Sequence, residues 1–208
     1  MSTYSDSRIL LGTGNLAKQE TLRWLLEGLP LRSLTPSDLG LTSALPDETG
    51  ATHRDIACQK AIQWSSMASM LVIASDGGLT VPSLGDNWES RFTHRFAGDQ
   101  ASDRDRVEQL LELMKGFSGE DRKASWIESV AVADRGKVIA SWETTGADGI
   151  IAKTPGEDTG IPGFWVFSIW FIPGLGRYYN RLSTSEKESL NDHWGQLKKT
   201  VQQFFQNL

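Results

Sequence analysis

Two short segments carry residue types suited to phosphate chemistry. Thr13-Gly14-Asn15-Leu16-Ala17-Lys18 follows the apolar run Ile9-Leu10-Leu11, so a buried strand breaks into a glycine turn and a helix begins. A helix N-terminus presents free N–H groups and a partial positive charge, and Lys18, one turn in, reaches the same anion. Ala74-Ser75-Asp76-Gly77-Gly78-Leu79 ends a second apolar run, Met70 to Ala74, on a carboxylate followed by two glycines. An acid there is poorly set for a structural salt bridge. It is well set to hold a hard cation such as Mg²⁺, which takes carboxylate and phosphate oxygens. A metal-binding acid and an ammonium-lined anion cradle in one chain point to nucleotide chemistry.

Each segment also has a plainer reading. Gly12-Thr13-Gly14-Asn15 lacks the third glycine of a dinucleotide fingerprint and is no Walker A loop, so alone it is any strand-to-helix turn. Asp47-Glu48-Thr49-Gly50 places acids before a helix, where turn chemistry and the helix dipole account for them. Asp55 and Lys60 follow on that helix. Arg91, His94 and Arg95 lie in a polar, aromatic stretch, and Arg95 has the better fork for phosphate or base oxygens. His53 and His94 read as surface residues, and Cys58, the single cysteine, as a packed, inert thiol.

The elements that must position these groups follow from periodicity. Strands are expected at Ile9 to Gly12, Leu71 to Ala74 and Leu79 to Leu84, with a returning strand and turn over Pro30 to Leu39. Helices are expected at Leu16 to Gly28 with Asn15 as N-cap, Thr52 to Met67, Asp103 to Lys115, and Ser185 to Phe205 bent near Gly195. Ala124 to Ala133 and Lys137 to Thr144 form a hairpin around Asp134-Arg135-Gly136, which Gly146 to Lys153 extends. Leu45 to Ala51 and Thr154 to Gly163 read as loops, and Phe164 to Phe171 as an aromatic strand. This alternation predicts an α/β fold with a mixed sheet, one domain over residues 1–208 with two lobes.

Composition narrows the partners. A net charge of −5 argues against a dedicated nucleic-acid binder. No apolar run approaches the ~20 residues of a membrane span, the N-terminus carries no signal-peptide pattern, and a lone cysteine fits a reducing cytoplasm.

Taken in order, the segments resemble the inosine triphosphatase family, the non-canonical purine NTP pyrophosphatases. The family's Thr-Gly-Asn-x-x-Lys is matched by Thr13 to Lys18, and its Glu-Thr-Gly-x-Thr leading to Lys-Ala by Glu48 to Thr52 and Lys60-Ala61. Its Ala-Asp-Asp-Ser-Gly-Leu stands as Ala74 to Leu79, and its Ala-Arg-Tyr-Ala-Gly as His94 to Gly98. Gly146, Gly149 and Gly163-Phe164 carry the match onward.

The resemblance implies an elongated, two-lobed sheet flanked by helices with a central cleft, usually in a homodimer. It also implies Mg²⁺-dependent hydrolysis of a nucleoside triphosphate to monophosphate and pyrophosphate. By position Asp76 would be general base and metal ligand, Glu48 a second metal ligand and Lys60 a catalytic cation. Thr13, Asn15, Lys18 and Lys60 would cradle the triphosphate, and Gly14, Gly77, Arg95, Phe164, Trp165, His193 and Trp194 complete the substrate-binding set.

Departures from the family pattern are concentrated. Ser75 replaces the first acid of the Asp-Asp pair, Gly77 the following serine, and Asp55-Ile56 the Glu-Asn of the helix. Gly-Phe-Gly-Tyr-Asp-Pro becomes Gly163-Phe164-Trp165-Val166-Phe167-Ser168, and Ser-His-Arg-Gly-Lys becomes Asp192-His193-Trp194-Gly195-Gln196. Lys187 is displaced by one residue from the family's substrate lysine. The indoles of Trp165 and Trp194 either stack on a base or fill its place. The expectation is therefore a pyrophosphatase of altered base preference. The alternative is a non-catalytic nucleotide sensor or dimerising scaffold that kept the fold.

Overall fold

The computed structural model describes residues 7–41, 46–98, 100–156, 164–190 and 192–208. In order, the elements are β1 (Ser7–Leu11), α1 (Leu16–Leu25), β2 (Leu31–Leu34), α2 (His53–Ala68), β3 (Leu71–Thr80) and α3 (Asp103–Leu113). There follow β4 (Lys123–Asp134), β5 (Lys137–Ile151), β6 (Trp170–Ile172), β7 (Arg177–Tyr178), α4 (Thr184–Leu190) and α5 (His193–Gln206). The strands form one open, mixed sheet in the order β2-β1-β3-β4-β5-β6-β7, which is the expected α/β class. Among the described residues no helix is long and apolar enough to cross a membrane. The chain divides into two compact units, residues 1–76, 128–144 and 194–208 in the first and 77–127 and 145–193 in the second.

In the first unit β1 runs parallel to both β2 and β3, pairing Leu10 with Leu34 on one side and Val72 on the other. Strands covered on both faces read as unbroken apolar runs, which is why Ile9-Leu10-Leu11 and Leu71 to Ala74 show no alternation. Ile9, Leu11 and Ile73 pack with Leu22 and Leu25 of α1 and Leu197, Val201 and Phe205 of α5. Leu10 and Val72 pack with Trp64 of α2, and Ala74, Ala131 and Ala133 with Ala57 and Ala61. Cys58 is a half-buried neighbour of that alanine cluster, as its sequence context suggests. The β4–β5 hairpin turns on Arg135 and Gly136, both at positive φ (47° and 79°), the pair that a tight two-residue hairpin requires.

The second unit is built on aromatic packing. Trp126, Phe164, Phe167, Trp170 and Tyr179 form a connected ring cluster that also holds the His193 imidazole. Beside it, the buried Arg122 guanidinium donates to the carbonyls of Met114, Phe117, Ile151 and Ala152 at 2.5–3.3 Å. It ties the end of β5 to the turn that follows α3.

Three expectations are corrected. Leu79 to Leu84 is not a separate strand: β3 continues through Asp76 to Thr80, and Pro82–Asn87 turns in 3₁₀ fashion. The glycines permit this, since a Cβ on Gly78 would stand 2.0 Å from the Ser90 carbonyl oxygen. Phe164 to Phe171 is a 3₁₀ turn over Trp165–Ser168 followed by β6, and the Ser168 hydroxyl closes the turn by donating to the Trp165 carbonyl at 2.7 Å. The C-terminal helix is two helices that part between Leu190 and His193, while Gly195 lies inside the second. Parts of the predicted loops Leu45 to Ala51 and Thr154 to Gly163, including Gly163, fall outside the described residues.

Candidate active site

The glycine turn after β1 exists because nothing larger fits. A Cβ on Gly12 would meet Val72, Trp64 and Ala74 at 2.9–3.1 Å, so the chain crosses tightly over β3 and enters α1. Local bonds then fix the loop. Asn15 caps the helix by accepting the Lys18 N–H at 3.1 Å, the Thr13 hydroxyl accepts the Asn15 N–H at 3.1 Å, and Gln19 donates to the Thr13 carbonyl at 3.0 Å. Thr13 and Asn15 therefore shape the cradle, leaving Gly14 exposed between them. Lys18 reaches 3.7 Å from a carboxylate oxygen of Glu128, a fully buried residue of β4.

The second wall is α2. Its start is fixed by a capping box in which Thr52 and Asp55 each accept the other's N–H at 3.1 Å. Asp55, a departure from the family residue, thus does helix-capping work. Seven residues into the helix from His53, Lys60 places its ammonium 2.7 Å from Glu48 Oε1 and 2.8 Å from Asp76 Oδ1. The other oxygen of Asp76, Oδ2, lies 2.6 Å from His53 Nδ1. Asp76 is 8% exposed and His53 3%. Burial alone would raise the carboxyl's proton affinity. The His53 hydrogen bond and the charges of Lys60 and Lys18 outweigh it and hold the pKa at about 2. Burial likewise works against the charge on Lys60, and Asp76 and Glu48 overcome it, so its pKa is raised.

Next to these groups is a cavity of about 490 Å³ whose lining includes Thr13, Gly14, Gln19, Glu48, Lys60 and Trp64. The volume falls within the range of small-molecule sites. Glu48 and Asp76 direct oxygens at one positive charge from two sides, a donor set that fits a hard divalent cation. Among the described residues no group of three or more His, Cys, Asp or Glu side chains gathers as a metal site. An ion held here would complete its shell with water and phosphate oxygens, the habit of Mg²⁺.

Two members of this cluster escape the sequence reading. His53, expected at the surface, is buried on the Asp76 carboxylate. The signal was the helical spacing of His53, Ala57, Lys60, Ala61 and Trp64, which puts the imidazole on the inward face. Glu128 shares the strand register of the buried Val130 and Val132. An acid in an otherwise apolar register marks a functional or paired group. Ser75, which replaces the family's first acid, is buried, and its hydroxyl has no hydrogen-bond partner among the described residues.

The remaining predicted site residues are placed differently. Trp194 belongs to the first unit's core, 7% exposed among Ile9, Leu22 and Leu197. In the second unit, Trp165 is 2% exposed and stacks on Phe96 at 5.6 Å. His193 is fully buried, and burial, opposed by a hydrogen bond to the Gly146 carbonyl and reinforced by the Lys187 charge, lowers its pKa to about 3. It is a neutral ring there. The preceding Asp192 accepts the Tyr179 hydroxyl. Phe164 is buried, Gly77 is half-buried, and Arg95 is exposed with its guanidinium 5.7 Å from the Phe92 ring centroid. Both indoles are thus packed against their own unit's apolar side chains.

Comparison with known proteins agrees with the motif-level resemblance. The dITP/XTP pyrophosphatase of Yersinia pseudotuberculosis is 31% identical over 200 residues, covering 93% of this chain and 95% of that protein. The one from Escherichia coli (strain K12) is 30% identical with the same coverage. A HAM1 protein structure from Coxiella burnetii superposes with a TM-score of 0.80 at 25% identity, over 97% of this chain and 99% of that one. A sequence model described as the Ham1 family matches residues 9–203, so nearly the whole chain is accounted for, and this protein belongs to the Ham1 family as a divergent member.

Proposed function

We propose that the protein is a magnesium-dependent nucleoside triphosphate pyrophosphatase with altered base preference. The observation that carries this reading is the Glu48–Lys60–Asp76 arrangement, two carboxylates converging on one ammonium beside the Thr13–Lys18 cradle. Family membership and the names of the relatives support this reaction class. Water adds to a phosphorus of the triphosphate, the α–β anhydride bond breaks, and monophosphate and pyrophosphate leave.

When bound, Mg²⁺ supplies charge neutralisation at the phosphate oxygens. Glu48 and Asp76 would hold it. The chain's own residues do the rest. Lys18 and Lys60 offset phosphate charge, and the N–H groups of the glycine turn orient the tail. Asp76, with a pKa of about 2, is fully ionised and weakly basic at neutral pH. It serves better as ligand and hydrogen-bond acceptor for the attacking water than as a proton reservoir. The burial of Trp165 and Trp194 leaves no open indole face for a base and motivates the altered preference.

That same burial favours a second reading, a nucleotide-binding sensor or scaffold without turnover. A panel of the four standard ribonucleotides with ITP, dITP and XTP, assayed for pyrophosphate, separates the two. Turnover by wild type, lost in Asp76→Asn, supports the enzyme. Calorimetric binding with no turnover under any divalent metal supports the sensor, and equal release by Asp76→Asn removes the proposed site.

A further inference from the structure

We infer that His53 is a positioning residue, whose Nδ1–H fixes the plane of the Asp76 carboxylate so that it can hold a divalent cation. The inference rests on the proposed function and deepens it. The terminal torsion of an aspartate is broad and two-fold, so one contact does not set the carboxylate plane. Lys60, one of the two groups on Asp76, reaches Oδ1 from the end of a four-carbon chain and shares its charge with Glu48. The other group is an imidazole on the first residue of α2, 2.6 Å from Oδ2, immobilised by near-complete burial and by the capping box that fixes the helix start. A ring held so firmly is the rigid member of the pair.

The bond also divides the labour of the two oxygens. Oδ2 is taken by His53, while Oδ1 is the oxygen turned to the charge it shares with Glu48 Oε1. Carboxylates that ligate metals are commonly supported by such outer hydrogen bonds, and losing one typically costs 10–100-fold in metal affinity or activity. A purely structural role would change stability and leave those quantities alone.

The test compares wild type, His53→Leu and His53→Asn, whose amide nitrogen stands near the place of Nδ1. Mn²⁺ is titrated into nucleotide-free protein by electron paramagnetic resonance, and kcat and KM for the best nucleotide are measured separately. His53→Leu should weaken Mn²⁺ binding by about 10–100-fold and lower kcat by a similar factor with KM changed far less. His53→Asn should recover most of both. Where His53→Leu does not fold, His53→Gln, whose amide lies one bond too far out, replaces it. Wild-type Mn²⁺ affinity and kcat in His53→Leu overturn the inference, as does a His53→Asn no better than His53→Leu, or a wild type that binds no Mn²⁺. If wild type hydrolyses no nucleotide, the proposed function fails, and the Mn²⁺ titration still decides the role of His53.

Discussion

Acid should loosen this protein through Asp76, by an amount the site geometry fixes. In the unfolded chain the carboxyl titrates near its ordinary value of 3.8, and in the native protein at about 2. The native pKa is depressed, so the stabilisation is fully present above the unfolded value and is lost as pH falls through the native one. A tenfold difference in proton affinity is worth about 1.36 kcal/mol, so the loss reaches about 1 kcal/mol by pH 3 and about 2 kcal/mol by pH 2. Asp76→Asn removes the titrating group while leaving Lys60 its bond to Glu48. Urea unfolding in metal-free buffer, followed by tryptophan fluorescence, gives the unfolding free energy of both proteins at pH 6, 3 and 2. The other carboxylates titrate in both and cancel in the difference. Wild type should lose ~2 kcal/mol more than Asp76→Asn between pH 6 and pH 2. Equal losses would refute the claim that His53, Lys60 and Lys18 together hold the carboxylate ionised.

Three further outcomes are expected. Lys60→Met should reduce pyrophosphate release at least ~100-fold at saturating magnesium, because it removes the charge that both carboxylates face; a loss under tenfold would count against a catalytic role. Ser75→Ala should raise the unfolding free energy by about 1 kcal/mol, since it deletes a buried hydroxyl that has no partner among the described residues; urea midpoints measure this, and a clear loss of stability contradicts it. The His193 ring resonances should not titrate above about pH 5 by NMR, because the ring takes a proton only near about 3. The unfolded chain binds that proton near 6.5, so His193 also makes stability decline as pH drops through 6.5.

Residues 9–11 and 71–74 read as buried strands because parallel strands covered on both faces leave unbroken apolar runs. The β4–β5 turn was legible in Arg135-Gly136 for a similarly local reason. The grouping of Lys18, Glu48, Lys60 and Asp76 was legible in the order of the motifs that carry them. What stayed hidden depended on partners far away in sequence. β3 runs on through Gly77-Gly78, where the Ser90 carbonyl leaves no room for a side chain on Gly78, and no window around the glycines contains that fact. Trp165 and Phe167 sit in a 3₁₀ turn, where their strand-like composition reflects packing against other rings and not backbone extension. The burial of His53 is hidden from its own sequence context, because a polar side chain at a helix start usually faces water and the carboxylate that offsets its desolvation lies 23 residues later.

Lys60 gives the protein a resident positive charge at the point where two acids meet. Two converging carboxylates without such a charge would repel each other and resist assembly. Here Lys60 already offsets both charges from within the chain. Under the proposed function, a divalent ion would then act on an assembled site, and its abundance would set when the protein works.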